Sequence, residues 1–281
     1  LGKKLKSRGV FKGKIIHYVA PSVWAWRPKR AENIAKFLDG VMCLFPFEPP
    51  FFEKHGLKTK YVGHPLIEVD QKSLDPARFR KERNISPDAT CVGLFLGSRM
   101  QEIKAHKNAF VDTLEVLAEQ IDDFHVIAPT LQNLEYDLRK ELEDATFVTH
   151  IVPTPSHKWD AIASCDMALA VSGTIGLELA YLDIPHLIGY KANPLTAMIV
   201  KSMIKVKHVH LANILLEEEA VPEYLQGKCG VQHLARAMLR LHKYPEERGK
   251  QHEAFRRLHD TLQLENNQTP SDAAAEFVLN A

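Results

Sequence analysis

The chain has 281 residues, 45% of them hydrophobic and 25% charged, and a net charge of +1. That length and composition suit a globular protein of one or two domains and exclude a disordered chain. No window approaches the 18 or more apolar residues of a membrane-spanning helix, and no charged segment followed by an apolar one opens the chain as a secretion signal would.

Charge is uneven along the sequence. The first 90 residues carry twice as many basic as acidic side chains, and the remainder carries an acidic excess. Much of the basic surplus sits in "LGKKLKSRGVFKGK", which reads as a solvated helix tail ended by Gly9 or as a patch facing an anionic surface. Aromatic and glycine residues are not interleaved with it, so no nucleic-acid partner is expected. Cys43, Cys91, Cys165 and Cys229 form neither a C-x-x-C pair nor a zinc-type cluster, which points to a reducing compartment and no metal site.

In chain order, "KIIHYVA" reads as a strand, followed by a helix near 28–38, the strand "GVMCLFP", a helix near 49–55 and the strand "TKYVG". "GHPLIEVDQKSLDPARFR", with two prolines and mixed charge, reads as a linker. From residue 90 onward, "CVGLFLG", "FHVIAPT", "FVTHIV", "DMALAV" and "PHLIGY" alternate with helices at 101–120, 131–143, 156–163, from 174, and near 194–204. Helices near 230–243, 245–263 and from about 271 close the chain. The expected class is α/β with parallel sheets covered by helices, and the unbroken apolar run at 166–171 predicts a strand buried on both faces. Expected divisions are 1–75, 76–245 and a helical segment 246–281.

Two strand-to-helix junctions carry small and charged residues where open α/β sheets bind ligands. In "FLGSRMQEI", Ser98 and Arg99 follow Gly97, and Glu102 lies in the first helical turn. Backbone N–H groups at a helix N-terminus and a guanidinium make a phosphate site without a metal. The alternative is an ordinary turn with Ser98 as helix cap. In "AVSGTIGLELAYLDIP", Ser172, Gly173 and Thr174 let backbone amides approach an anion, and Glu178 lies one turn deeper, where a carboxylate suits a sugar diol. Helix capping is again the alternative. Walker, G-x-S-x-G and G-x-G-x-x-G patterns are absent, as is a D-x-D pair for a metal-bound diphosphate.

Three further stretches stay open on residues alone. "YVAPSVWAWRPKR" places Trp24 and Trp26 beside Arg27, either as core packing or as aromatic surface and cations for an apolar, anionic ligand. His64 reads as an acid or base or as a buried structural histidine. The stretch 191–207 reads as core packing with snorkelling lysines or as an amphipathic surface helix for an anionic bilayer.

Taken in order, "YVAPSVWAWRPKR", "PFEPPFFEKHG", "YVGHPL", "LGSRMQEI", "AVSGTIGLELA", "PHLIGYKANPLT" and "LANILLEEEAVPEYLQ" resemble the lipid-A-disaccharide synthase family across residues 1–245. The resemblance implies a GT-B glycosyltransferase of two Rossmann-like lobes, the first incomplete. It implies inverting transfer of 2,3-diacylglucosamine from UDP to 2,3-diacylglucosamine 1-phosphate, without a cofactor, at the cytoplasmic face of the bacterial inner membrane. It also implies peripheral contact with an anionic membrane, and it leaves a homo-oligomer open. Ser98 and Arg99 would contact donor phosphates with Glu102 ordering their loop. Ser172, Gly173 and Thr174 would hold the pyrophosphate and Glu178 the ribose. Asn213, Glu223 and Gln226 would line the nucleotide side, and Trp24, Trp26 and Arg27 the acceptor side.

Two departures qualify the resemblance. Leu96 stands where the family carries proline, so that turn is less rigid. The family's catalytic base is expected upstream of Leu1, and an inverting transfer needs such a base. A UDP-N-acetylglucosamine 2-epimerase or a non-catalytic UDP-sugar-binding module would share the donor-side pattern.

Overall fold

The computed structural model describes residues 2–7, 12–155, 157–192 and 206–281. The chain forms two compact units, one holding Leu1–Val69 and His259–Ala281, the other Asp70–Pro194 and His208–Leu258. The helical stretch after residue 245 is therefore shared between them. No helix among the described residues is long and apolar enough to cross a membrane. The helix expected near 194–204, and most of the basic amphipathic stretch around it, lie outside the described residues.

The first unit opens with helix α1 (Gly2–Ser7) and a parallel three-stranded sheet of β1 (Ile16–Tyr18), β2 (Gly40–Cys43) and β3 (Lys58–Tyr61), in that spatial order. The central strand "GVMC" is buried along its whole length, as its apolar run requires. Helices α2 (Lys29–Ala35) and α3 (Pro50–Glu53) cover one face, where Val23, Ala31, Val41, Cys43 and Phe52 pack together.

The second unit begins with α4 (Pro76–Glu82), whose start is fixed by Asp75 accepting from the Arg78 backbone N–H at 2.9 Å and by Pro76 at the first helical position. There follow β4 (Thr90–Phe95), α5 (Met100–Ala118), β5 (Phe124–Leu131), α6 (Glu135–Glu141), β6 (Val148–Thr154), α7 (Lys158–Ala163), β7 (Met167–Ala170), α8 (Thr174–Tyr181) and β8 (His186–Tyr190). A short helix α9 (Leu211–Leu216), a sixth strand β9 (Glu223–Leu225), then α10 (Val231–Lys243) and α11 (Pro245–Leu262) up to Leu258 complete the unit. The last helix, α12 (Pro270–Leu279), returns to the first unit, where Ala273 and Phe277 cover Met42, Leu44 and Val62.

All six strands of the second sheet are parallel, in the order β6-β5-β4-β7-β8-β9. Ile103, Phe110, Leu114 and Leu117 on α5 recur at helical spacing and bury against Val92, Leu94, Val126 and Leu169 of the sheet. Chain progression runs outward on one side from β4 and on the other from β7, so the strand order reverses between these neighbours. A crevice beyond the carboxyl ends of β4 and β7 is the place where such sheets bind ligands.

Candidate functional site

Both glycine-containing junctions fall at that reversal. Gly97, Ser98, Arg99 and Glu102 after β4 and Ser172, Gly173, Thr174 and Glu178 after β7 line one cleft of about 430 Å³, with Pro129 and Thr130 of β5, Thr154 of β6 and Lys158 of α7 along its other walls. Ser98, Arg99, Glu102, Ser172, Gly173, Thr174 and Glu178 are thus brought together, although Ser172 lies 74 positions after Ser98 in sequence.

The first turn is organised by Glu102. Its Oε2 accepts from the Ser98 backbone N–H at 3.0 Å, and its Oε1 accepts from Arg99 Nη1 at 2.6 Å. Gly97 has φ +111, and a Cβ there would stand 2.5 Å from Glu102 Oε2, so this position admits only glycine. Ser98 does not cap the helix. Arg99 occupies the cap position in an extended conformation and forms no side-chain cap bond, because a guanidinium has no acceptor to offer the first N–H groups; Glu102 instead reaches back across it to the Ser98 N–H. The Arg99 side chain is 75% exposed, so its ion pair adds little stability but holds the guanidinium at the cleft. Glu102→Ala is expected to shift the urea midpoint only slightly, since the carboxylate orders a loop rather than a core, and urea melts beside the wild type check this.

The second turn is built differently. Gly173 stands at the cap position of α8 with extended backbone (φ 164, ψ −165) and offers no side-chain acceptor. The first N–H groups of the helix therefore lack a side-chain partner beside the open cleft, and nothing lies within 4 Å of where a Gly173 Cβ would be. The Ser172 hydroxyl is already used, donating to the Val209 carbonyl at 3.1 Å. Ser172 thus ties the turn to the segment before α9.

That segment is braced from behind. Glu223 accepts from the Val209 N–H at 3.0 Å, the His210 N–H at 2.8 Å and Asn213 Nδ2 at 2.9 Å. Asn213, fully buried, also pairs with both the N–H and the C=O of Val221. Asn213 and Glu223 are therefore not among the residues lining the cleft; their polar atoms are consumed in holding 208–213 beside α8. Gln226, exposed just beyond β9, is also outside the cleft. With its amide oriented so that donor meets acceptor, it faces the Ala192 peptide at 3.2 and 3.3 Å.

Lys158 is the charged cleft residue that the sequence did not single out. Its Nζ lies 2.7 Å from Glu178 Oε2, with side chains only 27% and 17% exposed. A lysine at the first position of a helix opposes the helix dipole, and that misplacement was the available signal.

A buried histidine pair underlies the second turn. His186 Nδ1–H donates to the Ile184 carbonyl (2.7 Å), and its Nε2 accepts from His210 Nε2–H (2.9 Å). His210 Nδ1 in turn accepts from the Ala212 N–H at 3.1 Å. This assignment of protons satisfies all four ring nitrogens with both rings neutral. Burial holds His186 down to about 4, and burial followed by the His186 charge holds His210 well below the usual histidine range.

In the first unit, Trp24 is buried and its Nε1 donates to Glu48 Oε1 at 2.9 Å, so it belongs to the core. Trp26 is 42% exposed, with the Arg27 guanidinium 4.2 Å from its ring centroid. His64 is half-buried, accepts the Leu66 N–H at 3.1 Å as a helix cap, and is held below its ordinary pKa by burial.

Two parallel-sheet units, one bearing a strand-end cleft at its order reversal, have the architecture of the GT-B fold, and solved structures agree on it. A UDP-GlcNAc 2-epimerase from Neisseria meningitidis bound to UDP-GlcNAc superposes with a TM-score of 0.56 at 14% identity, covering 88% of this chain and 62% of that one. A glycosyltransferase from Rickettsia africae gives 0.58 at 12% identity, covering 99% and 72%. The family is shown by sequence: the lipid-A-disaccharide synthetase family model matches residues 1–277, and the chain belongs to that family. It is 40% identical over 266 residues to the lipid-A-disaccharide synthase of Rhodospirillum centenum, covering 95% of this chain and 66% of the relative. It is 38% identical over 278 residues to that of Paramagnetospirillum magneticum, covering 98% and 70%. The chain therefore spans about two thirds of the length of these relatives.

Proposed function

We propose that the cleft at the carboxyl ends of β4 and β7 binds the UDP part of a UDP-sugar. In this reading the protein transfers 2,3-diacylglucosamine to 2,3-diacylglucosamine 1-phosphate with inversion, releasing UDP in the assembly of lipid A. One observation carries the reading: in a chain of this family, two uncapped helix N-termini and Arg99 converge on a single crevice at the strand-order reversal. The N–H groups and guanidinium take the pyrophosphate as it becomes a leaving group, and Glu178 accepts the ribose hydroxyls. Asn213 and Glu223 act behind that surface by fixing the segment that Ser172 holds.

Exposed Trp26 with its stacked Arg27 offers the aromatic and cationic surface suited to an acylated, anionic acceptor at a membrane. The test is an assay of the protein expressed from its complete reading frame with both acylated sugars. Disaccharide 1-phosphate and UDP in equal amounts, with the anomeric centre inverted, are expected. Formation of a manno epimer from UDP-N-acetylglucosamine without an acceptor would replace this reading with the isomerase one, and UDP binding without any product would leave a binding module.

A further inference from the structure

Lys158 and Glu178 are each poorly placed for their own helix. The ammonium sits at the first position of α7, against the positive end of the dipole, and the carboxylate sits in the C-terminal half of α8, away from the end that would favour it. Helix electrostatics explains neither residue, and the pair is more than two-thirds shielded on both sides. What the two share is the cleft, since both line it.

The geometry restricts what the lysine does. Its ammonium is held on two sides, 2.7 Å from Glu178 Oε2 and 4.5 Å from the Trp159 ring centroid. A carboxylate offers about four lone-pair positions, so one bond from Lys158 leaves Oε1 and a second lone pair of Oε2 available. A vicinal diol presents two O–H donors and needs both oxygens of an acceptor whose plane is already set. An unrestrained glutamate would have to lose rotamer freedom on binding.

We infer that Lys158 is a positioning residue for recognition of a ribose diol: it clamps the Glu178 carboxylate in the orientation that accepts both hydroxyls. This rests on the UDP reading of the same cleft and adds the part of the ligand on which Lys158 acts. Lys158 works through Glu178 and not on the phosphates, so its effect depends on the hydroxyls being present.

The experiment is calorimetric titration of UDP and of 2′,3′-dideoxy-UDP into the wild-type chain, Lys158→Met and Lys158→Arg. Lys158→Met is expected to lose about tenfold in affinity for UDP but less than about twofold for the dideoxy nucleotide, and Lys158→Arg to stay within about threefold of wild type for UDP. Equal losses for the two nucleotides would place the ammonium on the phosphates, and an unchanged UDP affinity would make it idle; either result overturns the inference. If Lys158→Met melts early, the UDP-to-dideoxy ratio in Lys158→Arg and Lys158→Gln decides instead, since a general folding defect weakens both ligands alike. A wild-type chain that takes up neither nucleotide rejects the UDP reading itself, an outcome separate from any difference among variants.

Discussion

Gly176→Ala is expected to destabilise the second unit by about 3 kcal/mol, the upper range for forcing a methyl into a filled interior. A Cβ at this position of α8 would overlap His210 Nε2 and stand 2.7 Å from Cδ2 of the same ring. That ring has no freedom to retreat. Its Nδ1 accepts from Ala212 and its Nε2–H donates to His186, which is itself fixed between the Ile184 carbonyl and the face of Phe255, 5.6 Å between centroids. Moving the imidazole breaks a buried hydrogen bond as well as the packing. Gly173→Ala, three residues earlier, is the matched control: the backbone is extended, the space around a Cβ is open, and the melt should be unchanged while UDP affinity falls. Urea denaturation of the two variants side by side decides the matter. Equal midpoints would show that the helix and the imidazole are not in contact.

Acidification between pH 7.5 and 5 should produce the second large effect. His186 is held down to about 4 in the folded protein and returns to about 6.5 in the unfolded chain. A histidine with a depressed folded value binds its proton preferentially in the unfolded state. Its contribution is present above pH 6.5 and is lost progressively as pH falls towards 4. At pH 5 the loss from His186 alone is about 2 kcal/mol, and His210, also depressed and fully buried, adds to it in the same direction. Carboxylates held low, such as Asp39 and Glu218, lose their contribution only below the ordinary carboxylate range, so they do not account for a fall in this interval. The urea midpoint should drop steadily from pH 7.5 to 5 in wild type and less steeply in His186→Gln, which removes one titrating group and keeps an acceptor near His210. A flat midpoint would mean that the pair is charged or hydrated in the folded state.

The sheet of the second unit was largely legible because its strands are buried on both faces and read as apolar runs: "CVGLF", "FHVIA" and "MALA" appear where the sequence places them. β9 was not, since Glu223–Leu225 is three residues long and opens with a carboxylate that serves the Val209 and His210 amides. Glu223 and Asn213 illustrate a general difficulty. A buried polar residue satisfied by backbone and one awaiting a ligand are the same letters in sequence, and only the hydrogen-bond partners separate them. Arg99 and Glu102 were readable because both act within one turn of their own helix start. Lys158 and the His186–His210 pair were not, because each meets its partner only once the unit is folded, 20 and 24 residues away in sequence. In the first unit the tryptophans divided in a way that spacing did not foretell. Trp24 turns inward to the carboxylate of Glu48, which burial holds above its ordinary pKa despite three hydrogen bonds, while Trp26 stays at the surface under Arg27.

Titrating UDP into the protein in excess EDTA asks whether the chain's own amides and Arg99 bind a nucleoside diphosphate at the β4–β7 reversal. One saturable site that Arg99→Ala weakens at least about tenfold is expected. Uptake that requires an added divalent cation, or an affinity indifferent to Arg99, would contradict it.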